Sequence, residues 1–388
     1  MSLHTPALFA TPVADGCPAA PQRWMALDAL RGFSMFWLLG GQQLVRAVTD
    51  GAAEHSWLGV LRLQFTHVAW EGFRFYDLIF PLFLFCIGVA TPLSIGRRLE
   101  KGDSKARMLG QAFVRLWWMI FLGWWVNGNL LSWDPAKMSL SYSVLMMLGL
   151  GGMIATVLVL YTSLRTQILV TIGILLGYWG VQMGIPFPGR QPGEFVAGGI
   201  FSDWLYDRTI AGLGPPWSSV YGRGWLVTVW THGATAMLGV FAGRILSHAR
   251  TGGQAVRWLL VGGVVLLLLG WGWSFWLPIV KNRWTSSYVL WCGGLSCVLL
   301  AIFHAIIVLG GWKRWATLFI ILGSNSILAY MIATRFTAPF RSITTTLFGG
   351  LHLWMGDYWH NVGMTLATYG LVWMVLAYLW RQKLFLRI

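Results

Sequence analysis

Charge is what this sequence has least of. Only 11% of its 388 residues are Asp, Glu, Lys or Arg, where a soluble domain carries about 25%. Acids are the scarcest of these, 13 against 28 Lys and Arg. So little charge excludes an ordinary soluble globule, and the 56% apolar content excludes intrinsic disorder. Cysteine is scarce too. Four in the whole chain cannot build a disulfide scaffold, and Cys86, Cys292 and Cys297 sit in apolar runs without metal-ligand spacing. Cys17 follows Val13-Ala14-Asp15-Gly16, a poor lipoprotein box, and reads as an ordinary tail cysteine. No histidine pair has the spacing of a zinc site, so no metal is expected, and no glycine-rich phosphate loop is found. Residues 1–22, with Pro6, Pro12, Pro18 and Pro21, read as a flexible tail. They lack the basic and apolar halves of a cleaved signal peptide.

What the chain does have is apolar length and tryptophan. Mean hydropathy is +0.63, and there are 26 Trp. The net charge of +15 is one feature that nucleic-acid binding shares. Here, however, the basic residues are scattered between long apolar blocks, which reads as membrane anchoring, and no nucleic-acid partner is expected. The composition predicts an all-α polytopic membrane protein.

A spanning helix needs roughly 20 apolar residues. Ten stretches qualify: 28–46, 74–95, 111–131, 142–161, 167–184, 225–246, 257–277, 287–309, 316–338 and 362–381. With both termini in the cytoplasm, most Lys and Arg fall inside, among them Arg97, Arg98, Lys101, Lys105 and Arg107. Most Asp and Glu then fall outside. The positive-inside rule therefore predicts N-in, C-in, in a bacterial cytoplasmic membrane. Residues 23–388 form one transmembrane domain. No internal repeat of the kind that marks many transporters is visible. Two outer connections, 47–73 and 185–224, are too long for plain turns, and the second is rich in Pro, Gly and aromatic residues. Loops of that length favour a lid or substrate-binding cap over a linker.

Ionisable groups inside a membrane are costly and therefore informative. Asp28 and Arg31 share a helical face at the inner end of the first span. They read equally as a structural ion pair and as a cofactor contact. Asp77 follows Arg74 at the outer end of the second span, where a local salt bridge competes with a catalytic role. His67 lies at the outer mouth of the bundle just before that span, and a lone histidine is more often structural than catalytic. His232 and His304, inside spans, read as structural. Donors and acceptors crowd Leu277–Tyr288, and Gly323-Ser324-Asn325-Ser326 interrupts an apolar span. Buried Ser and Asn can simply join helices together.

Five motifs in order carry a resemblance. They are Leu27-Asp28-Ala29-Leu30-Arg31-Gly32; His67-x-x-Trp70-x-Gly72 with Asp77-Leu78-x-Phe80-Pro81; Pro278-x-x-Lys281-Asn282-x-Trp284-Thr285-x-Ser287-Tyr288; Gly323-x-Asn325-Ser326-Ile327-x-x-Tyr330; and Lys383-Leu384-Phe385. Through them, from Leu27 to Ile388, the chain resembles the heparan-α-glucosaminide N-acetyltransferase family of transmembrane acetyltransferases. The resemblance implies that acetyl-CoA binds from the cytosolic side and that its acetyl group passes to an amino sugar on the far side. It marks His67 as the catalytic residue and Gln42 as a conservative match to an active-site Asn. The chain departs from the animal members at Met147, where they have Arg, and at Ala333, where they have His.

The implied chemistry suits these residues. An amine attacking a thioester must be neutral and must lose a proton as the bond forms, and imidazole has the right pKa. His67 could equally attack first and form an acetyl-imidazole. Gln42, Lys281 or Asn325 could donate to the oxyanion. The anionic nucleotide belongs at the inner face near Asp28, Arg31 and Arg97, with the pantetheine arm passing Ser324 and Asn325. The acceptor belongs near Asp77, Lys281, Asn282 and Tyr288. Expected partners are acetyl-CoA, a small amino sugar, membrane lipid and a second copy of the chain. A transporter of amino sugars or cell-wall fragments is the chief rival, since it would use the same polar cavity without covalent chemistry. A structural scaffold fits the tryptophan content but not the polar clusters.

Overall fold

The structure, a computed structural model, describes residues 25–134, 136–140, 142–189, 192–210, 213 and 223–386. The expected tail 1–22 and residues 190–191, 211–212 and 214–222 of the second long loop lie outside the described residues. Helix is the regular structure throughout, with no strand among the described residues.

Helix α1 (Met25–Phe36) runs through a π-helical turn, Trp37–Gly41, into α2 (Gln42–Val48). The first long connection is more than a loop, since it folds α3 (Trp57–Gln64). A 3₁₀ turn, Phe75–Leu78, leads into α4 (Ile79–Glu100). Then come α5 (Lys105–Gly128), α6 (Val144–Tyr161) and α7 (Leu164–Gly184). The second connection likewise carries α8 (Phe201–Thr209), ahead of α9 (Trp225–His248) and α10 (Gly252–Trp273). Helix α11 (Ser286–His304) ends in a π-helical turn, Ala305–Leu309. The next expected span is discontinuous: α12 (Ala316–Ser324), a break at Asn325, α13 (Ser326–Met331), a π-helical turn Ile332–Phe336, and α14 (Thr337–Phe348). Last is α15 (His352–Arg381), kinked at Gly356.

Local chemistry sets several of these starts. Ser104, Ser143, Ser163 and Thr251 each accept a backbone N–H of the first turn they precede, which satisfies a donor the helix cannot. Packing then depends on small residues. Helices α4 and α9 cross so closely that a Cβ on Gly88 would lie 1.9 Å from the Ala236 carbonyl oxygen, and one on Gly239 2.1 Å from that of Phe85. Helices α1 and α12 cross in the same way at Gly32 and Gly323. Close backbone approach of this kind is how helices associate in lipid, where apolar burial gives little advantage.

Helix α4 is the axis of the bundle. Ile79, Leu82, Leu84, Phe85 and Val89 are completely buried. At 1.5 Å per residue it is about 33 Å long. Asp77 stands at its start, the histidine end of the bundle, and Arg97 and Arg98 in its last turn, the arginine end.

Among the described residues, seven helical runs are long and apolar enough to cross a membrane: Phe75–Glu100, Val144–Tyr161, Leu164–Gly184, Trp225–His248, Gly252–Trp273, Ser286–Leu309 and Ser326–Arg381. The last run includes part of the expected span 316–338 and all of 362–381. The expected spans 28–46 and 111–131 fall on the interrupted α1–α2 run and on α5, which carries Arg115 and several tryptophans. Large apolar side chains cover the outside, with Trp118, Trp258, Leu268 and Trp271 at least half exposed. Such a surface suits lipid rather than water. The chain is an all-helical, multi-pass membrane protein.

Candidate active site

The histidine end is assembled from two loops. In the first, Gly72 adopts φ +118°, a backbone conformation that side chains oppose, and its N–H donates to the Ile279 carbonyl at 2.9 Å. That bond ties the loop carrying His67 to the loop carrying Lys281. The second loop is braced from within. The Thr285 hydroxyl accepts the Val280 N–H at 3.1 Å and donates to the Pro278 carbonyl at 2.9 Å, where the Ser287 hydroxyl also donates at 3.0 Å. Helix α8 holds the same loop from outside, through an ion pair of 2.9 Å between Asp203 and Arg283.

Three side chains meet there. The carboxylate of Asp77, fully buried, has Oδ1 at 2.7 Å from His67 Nδ1 and 3.3 Å from Lys281 Nζ. Its Oδ2 accepts the Arg74 N–H at 3.1 Å, so Asp77 also caps the turn that starts α4. With a carboxylate accepting at Nδ1, the ring proton is assigned there and the lone pair stays on Nε2. The Lys281 ammonium is 2.7 Å from Nδ1 and 3.1 Å from Nε2. An atom that close to both nitrogens stands over the ring rather than along either in-plane lone pair. The Tyr76 ring lies on the imidazole as well, with centroids 5.0 Å apart. Burial pushes the Lys281 ammonium below its ordinary pKa, and the Asp77 carboxylate beside it pushes back up. His67 remains open to the exterior, its side chain 44% exposed.

The other expected acceptor-side residues surround this cluster. Tyr288 donates its hydroxyl to the Asp77 carbonyl at 2.6 Å. Asn282 reaches the Ala69 carbonyl only weakly, at 3.4 Å. Gln42 donates to the Phe65 carbonyl at 2.7 Å, two residues before His67, and so supports the histidine loop from α2. The local ion pair between Arg74 and Asp77 does not form. Arg74 turns its guanidinium to the Thr66 hydroxyl and the His67 carbonyl instead.

Two cavities occupy the bundle. One of about 740 Å³ extends toward the arginine end, where Arg31, Arg98, Arg107 and Arg115 line it. The other, of about 530 Å³, lies at the histidine end and is lined by Lys281, Asn282, His232, Trp225 and Trp284 among others. Phe80, Val144 and Tyr330 belong to both walls. Cavities of this size match small-molecule sites.

The expected nucleotide-side residues are distributed unevenly around the larger cavity. Arg31 lines it, pairs with Asp28 at 3.0 Å and donates from Nε to the Gly323 carbonyl at 2.9 Å. Arg97 bonds the Leu93 carbonyl one turn back. Ser324 bonds the Ile320 carbonyl. Asn325 spends its amide on the C-terminal segment, donating to the Leu384 carbonyl and accepting from the Leu386 N–H, both at 2.9 Å. None of these last three is among the residues that line the cavity.

Other residues at the cavities were not legible as site residues. His232 is not merely a core histidine. It lines the smaller cavity, its Nδ1 2.9 Å from the Tyr142 hydroxyl and its ring 4.4 Å from that of Trp284. Asn127 and Tyr142 had no motif of their own. Arg115 is the one basic residue inside the expected span 111–131, where a charge is costly and so marks a candidate site.

Taken together, these features define a multi-pass membrane protein with an Asp-oriented histidine at one end and an arginine-lined cavity at the other. No family model matches the chain. It is 28% identical over 371 residues to heparan-alpha-glucosaminide N-acetyltransferase of Homo sapiens, covering 81% of this chain and 53% of that protein. It is 30% identical over 329 residues to the protein of the same name from Mus musculus, covering 69% of this chain and 48% of that one. The chain thus spans about half the length of the curated relatives it matches. Both relatives carry the name of the family that the motifs resemble.

Proposed function

We propose that this chain is a transmembrane acetyltransferase that moves the acetyl group of cytosolic acetyl-CoA to the amine of an amino sugar on the outer side of a bacterial cytoplasmic membrane. In this reading it has ten spans, with α1–α2 and α5 added to the apolar runs and the run Ser326–Arg381 counted as two, and both ends lie inside. The observation that carries the reading is the pair of cavities. One begins among arginines, the other at Lys281 beside His67, and they share Phe80, Val144 and Tyr330. A donor with an anionic head and a long thin arm, serving an acceptor on the opposite face, requires such a path.

Each residue then has a task. Arg31, Arg98, Arg107 and Arg115 offer guanidiniums to the phosphates, for which their fixed fork is well suited. Asp28 orients Arg31. Asn325, with Ser324 before it, holds the helix break beside the path. At the far end Asp77 holds the His67 ring, so that Nε2 faces the reaction with its lone pair. His67 Nε2 takes a proton from the attacking amine as the N–C bond forms, and the C–S bond breaks as the tetrahedral intermediate collapses. Lys281, the nearest cation, offsets the negative charge that develops on the carbonyl oxygen. Tyr288 and Gln42 fix the backbone on either side of the pair, and Asn282 faces the acceptor from the smaller cavity.

The break at Asn325 and the π-helical turn after it also favour the rival reading. Discontinuous helices near a central cavity are what substrate transporters use. One experiment separates the two. Purified protein in lipid discs is incubated with labelled acetyl-CoA and a panel of amino sugars, and products are weighed by mass spectrometry. The transferase reading expects an N-acetylated sugar and free CoA in equal amounts. Absence of acetyl-CoA binding and of acetylated product, together with uptake of unchanged sugar into proteoliposomes, overturns it in favour of the transporter.

A further inference from the structure

The boundary between the two cavities is built in an unusual way. Tyr330 stands on α13, only 6 residues long, between the break at Asn325 and the π-helical turn Ile332–Phe336. The break is itself held by the C-terminal segment, through the two Asn325 bonds to Leu384 and Leu386. From this short segment the Tyr330 side chain, 6% exposed, lies in the wall of both cavities. Its hydroxyl accepts a hydrogen bond of 3.0 Å from the Asn127 amide, on the last turn of α5. Phe80 also lies in the wall of both cavities, with its ring centroid 5.8 Å from Lys281 Nζ. The partition is thus made of two aromatic rings and a valine, placed immediately inside the histidine cluster.

We infer that Tyr330, latched by Asn127, is the residue that decides whether the acyl group passes to an amine or to water. The inference rests on the transferase reading. The outer cavity holds Lys281 and Asn282 in its wall, and Lys281 touches the exposed His67, whereas a thioester waiting in the inner cavity must stay dry until an acceptor is in place. If water reached it, the water oxygen would bond to the carbonyl carbon and the C–S bond would break. Acetic acid and the CoA thiol would result, with one water proton passing to sulfur. Closed, the aromatic partition excludes water. The two helical irregularities beside Tyr330 give the segment a place to yield when the acyl group moves across, and the single neutral hydrogen bond to Asn127 is weak enough to exchange.

The test measures the fraction of consumed acetyl-CoA that ends as free acetate rather than as N-acetylated sugar, with glucosamine as the acceptor probe. Tyr330→Ala is expected to raise that fraction by about tenfold, because water then shares the thioester's cavity. Tyr330→Phe and Asn127→Ser, which keep the ring but release the latch, are expected to raise it by a smaller factor. A second readout needs no turnover. Cys86 lines the inner cavity and is the only cysteine kept when Cys17, Cys292 and Cys297 are replaced. A membrane-impermeant thiol reagent applied at the histidine face should label it in Tyr330→Ala and not in the parent. An unchanged acetate fraction and unchanged labelling in a folded Tyr330→Ala protein overturn the inference while leaving the transferase reading intact. A parent protein that neither transfers nor hydrolyses acetyl groups overturns both.

Discussion

His67 and Lys281, 214 positions apart in the chain, meet with Lys281 Nζ 2.7 Å from the His67 ring and both bonded to the same oxygen of Asp77. A histidine shared in this way between a buried carboxylate and a cation is held in one orientation, with Nε2 turned away from the acid. That contact gives the proposed chemistry its most direct tests.

The first concerns the histidine itself. His67→Ala should reduce acetyl transfer by about 10²–10⁴-fold, the range for loss of a positioned acid–base group. Acetyl-CoA binding and thermal stability should change little, since the arginine cavity lies toward the other end of α4. His67→Gln keeps a hydrogen-bonding side chain but no titratable lone pair, and it should be equally inactive. If His67 only pinned its loop, Gln would restore activity and both variants would lose stability in proportion to turnover. Rapid quenching without acceptor adds a distinction, because acetylated His67 appears only if the ring acts as nucleophile.

Lys281 supplies a pH dependence. Burial lowers its pKa, against the opposing pull of Asp77. The folded protein therefore releases this proton at a lower pH than the unfolded chain, whose lysines titrate near 10.5. Between those two values the unfolded chain binds more protons, so stability rises with pH. The contribution is complete above the unfolded value and lost as pH falls through the folded one. Melting temperatures of the parent and of Lys281→Met, followed from about pH 8 to about pH 10.5, should show the parent gaining on the variant. Parallel curves would remove Lys281 from the buried pair. At neutral pH the variant should be destabilised by about 3 kcal/mol, because the Asp77 carboxylate is left buried without its cation.

Arg98 and Arg115 line the larger cavity at the arginine end. Replacing either with Gln should weaken acetyl-CoA binding measured by calorimetry. Replacing both should flatten the dependence of affinity on salt, since two phosphate contacts are gone. Arg97, directed to the Leu93 carbonyl, serves as the internal control and should have a smaller effect on replacement. Equal effects at Arg97 and Arg98 would mean the cavity is not where the phosphates bind.

Topology is tested by labelling. Cysteine placed at Lys101 and at Glu71, both exposed, in a background lacking Cys17, should react with an impermeant reagent from opposite faces of the membrane. The expected pattern is Lys101 from the cytoplasm and Glu71 from outside. Labelling of both from one face would overturn the ten-span arrangement and the cross-membrane transfer together.

Much of this protein is determined locally and is therefore legible in its sequence. Apolar length specifies helices that cross a membrane, because an unpaired backbone group in lipid costs several kcal/mol. Serine and threonine before α5, α6, α7 and α10 set where those helices begin. Asp77 stands out for a related reason, being charged where charge is expensive, whereas His67 and Lys281 are marked by the motifs they belong to. Tertiary packing decided the rest. No spacing places Lys281 over the His67 ring, since that depends on the bond between Gly72 and Ile279, two loops far apart in the chain. Asn325 looks like a cavity residue from its neighbours, yet it is taken up by Leu384 and Leu386. The meeting of the two cavities at Phe80, Val144 and Tyr330 is set by how closely α1, α4, α9 and α12 approach at their glycines. Periodicity tells each helix which face to bury, but the depth of contact between two helices comes from both partners at once, and with it the space that remains for a substrate.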